Sequence, residues 1–67
     1  MDVIAKVEMF LNRGSAYEKQ IFIKGNKYKY FAESSSWNNH EVQREAGTGQ
    51  PSTFNEHEFY KYFQINH

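Results

Sequence analysis

Apolar and polar residues alternate along much of the chain with the two-residue period of β-strands. In residues 3–11, every second residue from Val3 to Met9 is apolar, as in a strand, although a helical stripe fits the same stretch. A turn-forming cluster at residues 12–15 and an extended segment at 17–24 favour the strand. We therefore expect a strand followed by a turn at the start of the chain.

The clearest pattern lies in residues 20–31, where two β-rich runs flank Gly25 and Asn26. Glycine followed by asparagine suits a two-residue type II′ turn, because the first central residue of that turn needs a positive φ. The resulting hairpin would have one face in the core, formed by Ile21, Ile23, Tyr28 and Tyr30. Its other face would be cationic and would contain two phenylalanines: Phe22, Lys24, Lys27, Lys29 and Phe31.

The middle of the chain is polar. Residues 40–46 alternate only weakly around Val42, which predicts an exposed edge strand. Residues 47–52 contain two glycines and a proline and are predicted to form a loop.

A short helix is predicted near residue 55. Asn55 can act as its N-cap and Glu58 as the third helical residue, which together form a capping box, and the same pairing is possible two residues earlier. Phe59 and Phe63 are four residues apart and would stack on one face of the helix. Residues 64–66 could add a short closing strand.

These elements predict a mainly β, α+β fold. We expect a small antiparallel meander or partly open barrel of four or five strands, followed by a short C-terminal helix. The chain has 67 residues, and a chain of this length hides only about 60% of the surface that it exposes when unfolded. It therefore has room for a single small domain, residues 1–67.

Composition adds an unusual feature to this picture. Twelve residues are aromatic, whereas only eight are Ile, Leu or Val. We expect some of the rings to replace aliphatic residues in a thin core and the others to form an aromatic surface. Lysine and arginine total eight, as do aspartate and glutamate, so the charge gives no support to non-specific nucleic-acid binding, which favours basic proteins.

The location expected from composition is the cytoplasm. The chain has no cysteine, which is unusual for a small secreted domain. Its first apolar run is interrupted by charges, unlike a signal peptide. No apolar stretch reaches the roughly 18 residues that a membrane span requires.

Residues that could support catalysis or metal binding do not form a recognisable motif. Glu56 and Glu58 flank His57, but side chains two positions apart on a helix point in different directions. The position four residues after His57, where the zinc-protease motif needs histidine, is Lys61. His40 and His67 lie in polar segments and are expected to be solvated. We predict no enzyme activity, no cofactor and no metal.

Two segments resemble a known group of proteins. Residues 22–28 are similar to an F-x-K-G-x-x-Y opening, and residues 53–63 are similar to a capped E-F-x-x-Y-F closing segment. Both occur in small proteins encoded by phages and prophages, which are generally predicted to be SH3-like β-barrels and mostly have no assigned function. The resemblance covers about half of the chain and implies an SH3-like fold and an origin in a mobile element. It implies no catalytic residues.

The strongest candidate for function is the cationic hairpin face, since aromatic rings and lysines suit both protein and nucleic-acid partners. The structural alternative is that Phe22 and Phe31 pack inside, covered by lysine stems. Trp37, in a polar segment, is either an interface anchor or a cap on the end of the barrel. Tyr60 and Tyr62 flank the helical Phe59/Phe63 stripe, so that one can pack while the other faces a partner.

These features lead us to expect a non-enzymatic protein-binding module, encoded by a phage, that inhibits or modulates a host protein by steric occlusion. Inhibition of a host defence protein is one example of such a role. Homodimerisation through an edge strand or through the aromatic helix is a further expectation. The alternative is a module that binds single-stranded nucleic acid through Phe22, Phe31 and the three lysines.

Overall fold

The computed structural model describes residues 2–31, 40–46 and 49–66, and within them the fold is mainly β. Its antiparallel strands and short C-terminal helix match the coarse prediction from the sequence. In chain order the elements are β1 (Asp2–Ala5), β2 (Met9–Leu11), β3 (Lys19–Phe22), β4 (Lys27–Lys29), β5 (His40–Val42), β6 (Ser52–Phe54), α1 (Glu56–Tyr62) and β7 (Phe63–Asn66).

Strand β1 is the centre of a three-stranded antiparallel sheet and pairs with β4 on one side and β7 on the other. Val3 and Ala5 point inward and are buried. The helical alternative for residues 3–11 is therefore wrong, and the predicted strand is present as two pieces. The break follows β1, where the Lys6 N–H donates to the Tyr62 carbonyl at 2.7 Å and the chain leaves the sheet.

The predicted pairing of β3 with β4 is wrong. The turn closes with an Asn26 N–H to Ile23 carbonyl bond of 3.1 Å, so Gly25, with φ +90°, is its second central residue. A positive φ at that position is typical of a type II turn, which splays the flanking strands rather than pairing them. The backbone of Ala5 bonds to both Gly25 and Asn26, at 2.8 and 3.1 Å. As a result β3 pairs with β2, and β4 pairs with β1.

Strand β5 is not the exposed edge that the sequence predicts. It pairs with β6 on one side. On the other side the Phe31 N–H donates to the Glu41 carbonyl at 2.9 Å, and Tyr30 and Val42 form a bridge. Val42 is completely buried. The alternation around it is weak because the other inward-facing residue of this short strand is His40, which is polar.

Aromatic rings form much of the core. The ring of Phe22 lies 4.9 Å from that of Tyr28, 5.1 Å from that of Phe63 and 6.0 Å from that of Phe54, measured between centroids. Such pairs each contribute about 0.5–1.5 kcal/mol beyond the burial of their area. The buried apolar residues are Val3, Ala5, Ile21, Phe22, Tyr28, Val42, Phe54, Phe59 and Phe63.

The predicted inward face of the hairpin is confirmed for Ile21 and Tyr28, whereas Ile23 and Tyr30 are half-buried. The expectation that Phe22 lies on an exposed face is wrong, because its exposed fraction is 0%. Ile21 and Phe22 are neighbours in sequence and both are buried. At this point β3 ends and the chain crosses towards the three-stranded sheet, so both of its faces are covered.

The C-terminal helix begins as the sequence predicts. Asn55 is the N-cap, and its side chain accepts from the Glu58 N–H at 2.8 Å. The Glu58 carboxylate in turn accepts from the Asn55 N–H at 3.3 Å, which completes the capping box. Phe59 and Phe63 stack at 5.8 Å. The predicted closing strand is confirmed as β7, which begins at Phe63.

Candidate partner-binding surface

Strand β4 presents lysines on the side opposite to the core. Lys27 and Lys29 alternate with the buried Tyr28 and are exposed, and Lys24 is exposed in the preceding turn. Phe31 continues the same alternation and is half-buried, with the Lys29 Nζ 5.4 Å from the centre of its ring. We call Lys24, Lys27, Lys29 and Phe31 the lysine face. Residues 19–31 contain four lysines and no acidic residue.

Phe22 does not belong to the lysine face. Its ring is completely buried among three other rings, so it has no area to offer a partner. For this residue the structural alternative, in which the ring packs inside, is the correct one. Phe31 is the one aromatic ring that the lysine face retains.

Carboxylates border the lysine face on both sides. Asp2 lies opposite Lys29 in the β1–β4 ladder, and Ile4 lies opposite Lys27 on the same outward side. On the other side, Glu41 is joined to Phe31 by its backbone carbonyl. The surface is therefore a pattern of both charge signs around a partly covered ring, and not a uniform cationic patch.

The two helical tyrosines take different positions, as the sequence predicts. Tyr62 is half-buried and packs against the core, with its ring edge-on to Phe54 at 6.2 Å. Tyr60 is 51% exposed. Its backbone carbonyl accepts a 3.0 Å bond from the Lys6 Nζ, which ties this turn of the helix to the chain leaving β1.

His40 lies beneath Tyr60 and is buried, so the expectation that it is solvated is wrong. Its exposed fraction is 4%, and its ring stacks on that of Phe59 at 4.4 Å. Nδ1 shares a 2.7 Å hydrogen bond with the Tyr30 hydroxyl, whereas Nε2 has no hydrogen-bond partner within the described part of the chain. The Tyr60 ring meets the His40 ring edge-on at 6.1 Å.

The buried position of His40 could have been predicted from the sequence. His40 is two residues before Val42, and residues two apart in a strand share a face. Once Val42 is placed in the core, His40 must lie on the same side. Trp37 and His67 lie outside the described residues, so the predictions made for them remain predictions.

A further exposed aromatic residue, Tyr17, was not predicted as part of a site. It is 80% exposed and lies in the turn region between β2 and β3. The extended segment predicted to begin at residue 17 begins instead at Lys19, because the turn that starts at residues 12–15 continues to Tyr17. Tyr17 and Tyr60 are the exposed large apolar side chains of the described residues.

The described residues contain no group of three side chains placed to bind a metal ion. They also enclose no pocket. Within the same ranges no helix has the length and apolar character needed to cross a membrane. The tyrosine hydroxyls, lysines and aromatic rings of this surface can form hydrogen bonds, ion pairs and apolar contacts with another macromolecule.

Comparison with known proteins finds no matching family model, no similar curated protein and no similar solved structure. Function is therefore inferred from the chemistry of the surface itself.

Proposed function

We propose that this chain is a non-enzymatic protein-binding module and that its contact surface consists of the lysine face together with Tyr60. The observation on which this rests is the exposure of Tyr60 above a layer of buried rings. Tyrosine supplies a large contact area at little cost in rotamer freedom, and it is enriched among residues that dominate interface energies. The capped helix and the His40–Phe59 stack hold its backbone in place.

Strand β5 links the two parts of this surface. Phe31 is bonded to Glu41, which directly follows His40, and His40 contacts Tyr60. The end of the lysine face at Phe31 is therefore linked to Tyr60 through two consecutive residues of β5, whose side chains lie on opposite sides of the strand. In the proposed mechanism the aromatic residues occupy a site on the target, while the lysines and the bordering carboxylates fix the orientation.

The arrangement of the strands supports a more specific fold proposal, an SH3-like partly open barrel. The sheet order β4-β1-β7 and the β5–β6 ladder are linked by the Tyr30–Val42 bridge. Joined in this way, the strands follow the order β7-β1-β4-β5-β6. Under the resemblance to small phage and prophage proteins, the target is a host protein in the cytoplasm that is inhibited or modulated by steric occlusion.

Affinity capture from a bacterial lysate treated with nuclease tests the proposed function. The wild-type chain is expected to retain a specific protein, and Tyr60→Ser is expected to lose most of it while melting at the same temperature, because Tyr60 is half exposed. Gln50→Ala, an exposed position outside the proposed surface, is the matched control. Trp37→Ala tests the predicted anchor separately. Equal capture by wild type and Tyr60→Ser would exclude Tyr60 as a contact.

A homodimer is also proposed, through the exposed helix rather than through β5, since β5 is paired on both sides. Light scattering at tens of micromolar is expected to give a mass above the 8.0 kDa of one chain. A mass equal to that of one chain would end this proposal and leave protein binding unaffected.

Single-stranded nucleic-acid binding is the second candidate, because residues 19–31 contain four lysines and no acidic residue. Base stacking would have to use Phe31, since Phe22 is buried, and the phosphates would meet Asp2 and Glu41 at the borders. Titration of a labelled oligonucleotide at two salt concentrations distinguishes the candidates. Micromolar binding with a steep salt dependence would favour nucleic acid over protein.

A further inference from the structure

Three strands, β2, β6 and β7, pair with a neighbouring strand on one side only within the described residues. The open side of such a strand carries backbone N–H and C=O groups that a strand of another chain can bind. Proteins protect open edges with bulges, prolines or charged side chains. The three strands differ in whether they have this protection.

Strands β2 and β6 are protected. The pairing of β2 with β3 shifts register within the strand, as at a β-bulge. In β5 the backbone groups of Glu41 and Gln43 bond to the segment containing β4, so Thr53, which lies opposite Glu41, has its own backbone groups on the open side of β6. Pro51, two positions before Thr53, has no N–H to offer at that edge.

The hydrogen bonds of β1 show which of its residues bond to β7. The Lys6 N–H donates to the Tyr62 carbonyl at 2.7 Å, on the side of β7. The Ala5 carbonyl accepts from the Gly25 N–H at 2.8 Å, on the side of β4. Because the backbone groups of successive residues in a strand point to alternate sides, Ile4 bonds towards β7, as Lys6 does.

The backbone groups of Ile65 therefore lie on the open side of β7. Ile4 is paired with Gln64, so the N–H and C=O of Gln64 bond to β1, and those of the next residue, Ile65, point away from it. Phe63 has the same orientation as Ile65, and its N–H donates to the Phe59 carbonyl in the last turn of α1. That turn therefore borders the open side of β7.

Strand β7 carries none of the three kinds of protection. Its four residues, Phe63–Asn66, include no charged side chain and no proline, and they pair with β1 without a shift in register. Within the described residues, β7 is thus the edge that is built to accept another strand.

We infer that the β7 strands of two copies of this chain pair antiparallel about a two-fold axis at Ile65. The Ile65 N–H of each copy then donates to the Ile65 carbonyl of the other, as in a hydrogen-bonded antiparallel pair. The two three-stranded sheets become one continuous sheet across the axis. Pairing centred on Gln64 is excluded because its backbone groups already bond to β1.

A second copy is the partner because β7 is complementary to itself in this register. On the outer face, Gln64 lies opposite Asn66 of the second copy, and each side-chain amide has both a donor and an acceptor. On the inner face, the two Ile65 side chains lie opposite each other, and each is half-buried against its own core. The strand has no charge, so the two-fold axis brings no like charges of β7 together.

This inference rests on the homodimer proposed above and names the strand that forms it. Because the last turn of α1 borders the open side of β7, the pairing extends the contact proposed for the exposed helix. The proposed binding of a target protein does not depend on it.

Amide hydrogen exchange tests the pairing. Exchange at Ile65 and Gln64 is followed by nuclear magnetic resonance from tens of micromolar to about one millimolar chain, with the mass measured by light scattering in the same samples. The Gln64 amide is expected to be protected at every concentration. The Ile65 amide should exchange rapidly in dilute samples and become protected as the mass rises above 8.0 kDa.

The outcomes separate failure of this inference from failure of the proposed homodimer. A rising mass with rapid exchange at Ile65 throughout overturns the pairing of β7 and leaves a dimer through the helix. The mass of one chain at every concentration overturns both. Protection of Ile65 in the most dilute, monomeric sample also overturns the pairing, because the edge is then covered by the chain itself.

Backbone esters provide a matched pair of variants, since a chain of 67 residues is short enough for chemical synthesis. An ester in place of the amide at Ile65 removes the two central hydrogen bonds of the dimer and is expected to weaken dimerisation about tenfold or more, with no change in the melting temperature of the monomer. An ester at Gln64 removes a bond to β1 and is expected to lower that temperature. Unchanged dimerisation of the Ile65 ester would contradict the inference.

Discussion

Phe22 and Phe31 show how strongly the environment of a single residue depends on distant parts of the chain. The ring of Phe22 is enclosed by Tyr28 from β4, Phe54 from β6 and Phe63 from β7. Phe31 has a similar sequence context but lies at the outer side of the sheet, with a lysine ammonium group over its ring. The alternation of residues puts both on one face, and only the pairing of the strands separates them.

Replacement of these two phenylalanines should therefore have unequal effects. Phe22→Ala removes a completely buried ring and is expected to cost about 3–5 kcal/mol, which is comparable to the whole stability of a domain of this size. We expect it to be largely unfolded by circular dichroism. Phe31→Ala should cost about 1 kcal/mol in urea unfolding. Similar losses in the two variants would contradict the assignment of Phe22 to the core.

The contribution of Tyr28 to the free energy of unfolding changes with pH in the alkaline range. Burial, followed by the 2.6 Å hydrogen bond from its hydroxyl to the Glu45 carboxylate, raises its pKa above the ordinary value of 10.0. Above pH 10 the unfolded chain therefore releases the phenolic proton while the folded chain still holds it. The contribution of Tyr28 is complete below pH 10 and is lost as the pH rises through the folded-state pKa.

The free energy of unfolding should consequently fall as pH is raised above 10, measured by urea unfolding at a series of pH values. Tyr28→Phe has no proton to lose, and its decline over the same range should be shallower. Tyr17→Phe, which removes the hydroxyl of an exposed tyrosine, is the matched control. An identical decline in wild type and Tyr28→Phe would show that Tyr28 does not cause it.

Helix α1 could be predicted from sequence because its start depends on residues within one turn of each other. The reciprocal bonds of Asn55 and Glu58 are local, and so is the stacking of Phe59 on Phe63. The division of roles between Tyr60 and Tyr62 follows from the same local geometry. None of these features requires knowledge of which strands pair.

The turn at Gly25 could not be predicted in the same way. Gly25 has a positive φ in either turn type, so the sequence does not say whether Gly25 is the first or the second central residue. The choice is made by β1, whose Ala5 bonds to Gly25 and Asn26. A strand more than fifteen positions away therefore decides the partner of β3 and the partner of β4.

The capping box should contribute measurably to stability. Asn55→Ala removes the acceptor for the Glu58 N–H and is expected to cost about 1 kcal/mol, measured as a lower urea midpoint. Asn55→Ser can still accept this bond and should lose less. If the alanine and serine variants were equally stable, the 2.8 Å bond from the Glu58 N–H to the Asn55 side chain would not contribute to the stability of the protein.

For the whole molecule, the sequence was sufficient to predict a small, mainly β fold with a C-terminal helix, but not the order of its strands. The order of the strands depends on contacts between distant segments. For this reason the sequence analysis predicted neither the central position of β1 nor the pairing of β5 on both of its sides. The surplus of aromatic residues found in the sequence is divided between core and surface, but along a different line from the one expected. Phe22 belongs to the core, and the exposed rings include Tyr17.

The arrangement of the charges can also be described only for the molecule as a whole. The chain as a whole is neutral, yet the lysines of β4 lie together, with Asp2 and Glu41 at their borders. A partner that matches this pattern must present both charge signs, as a folded protein does and a phosphate backbone does not. This pattern is the electrostatic argument for a protein target.

The most direct test of protein binding is the reactivity of the lysines of this surface. The chain is acetylated at low reagent concentration, alone and with the captured target, and the rates at Lys24, Lys27 and Lys29 are measured by mass spectrometry. Tyr60→Ser at the same target concentration serves as the control. The account predicts slower acetylation of these three lysines when the target is bound to wild type, and less protection in the variant. Unchanged rates at all three while the target is bound would contradict it.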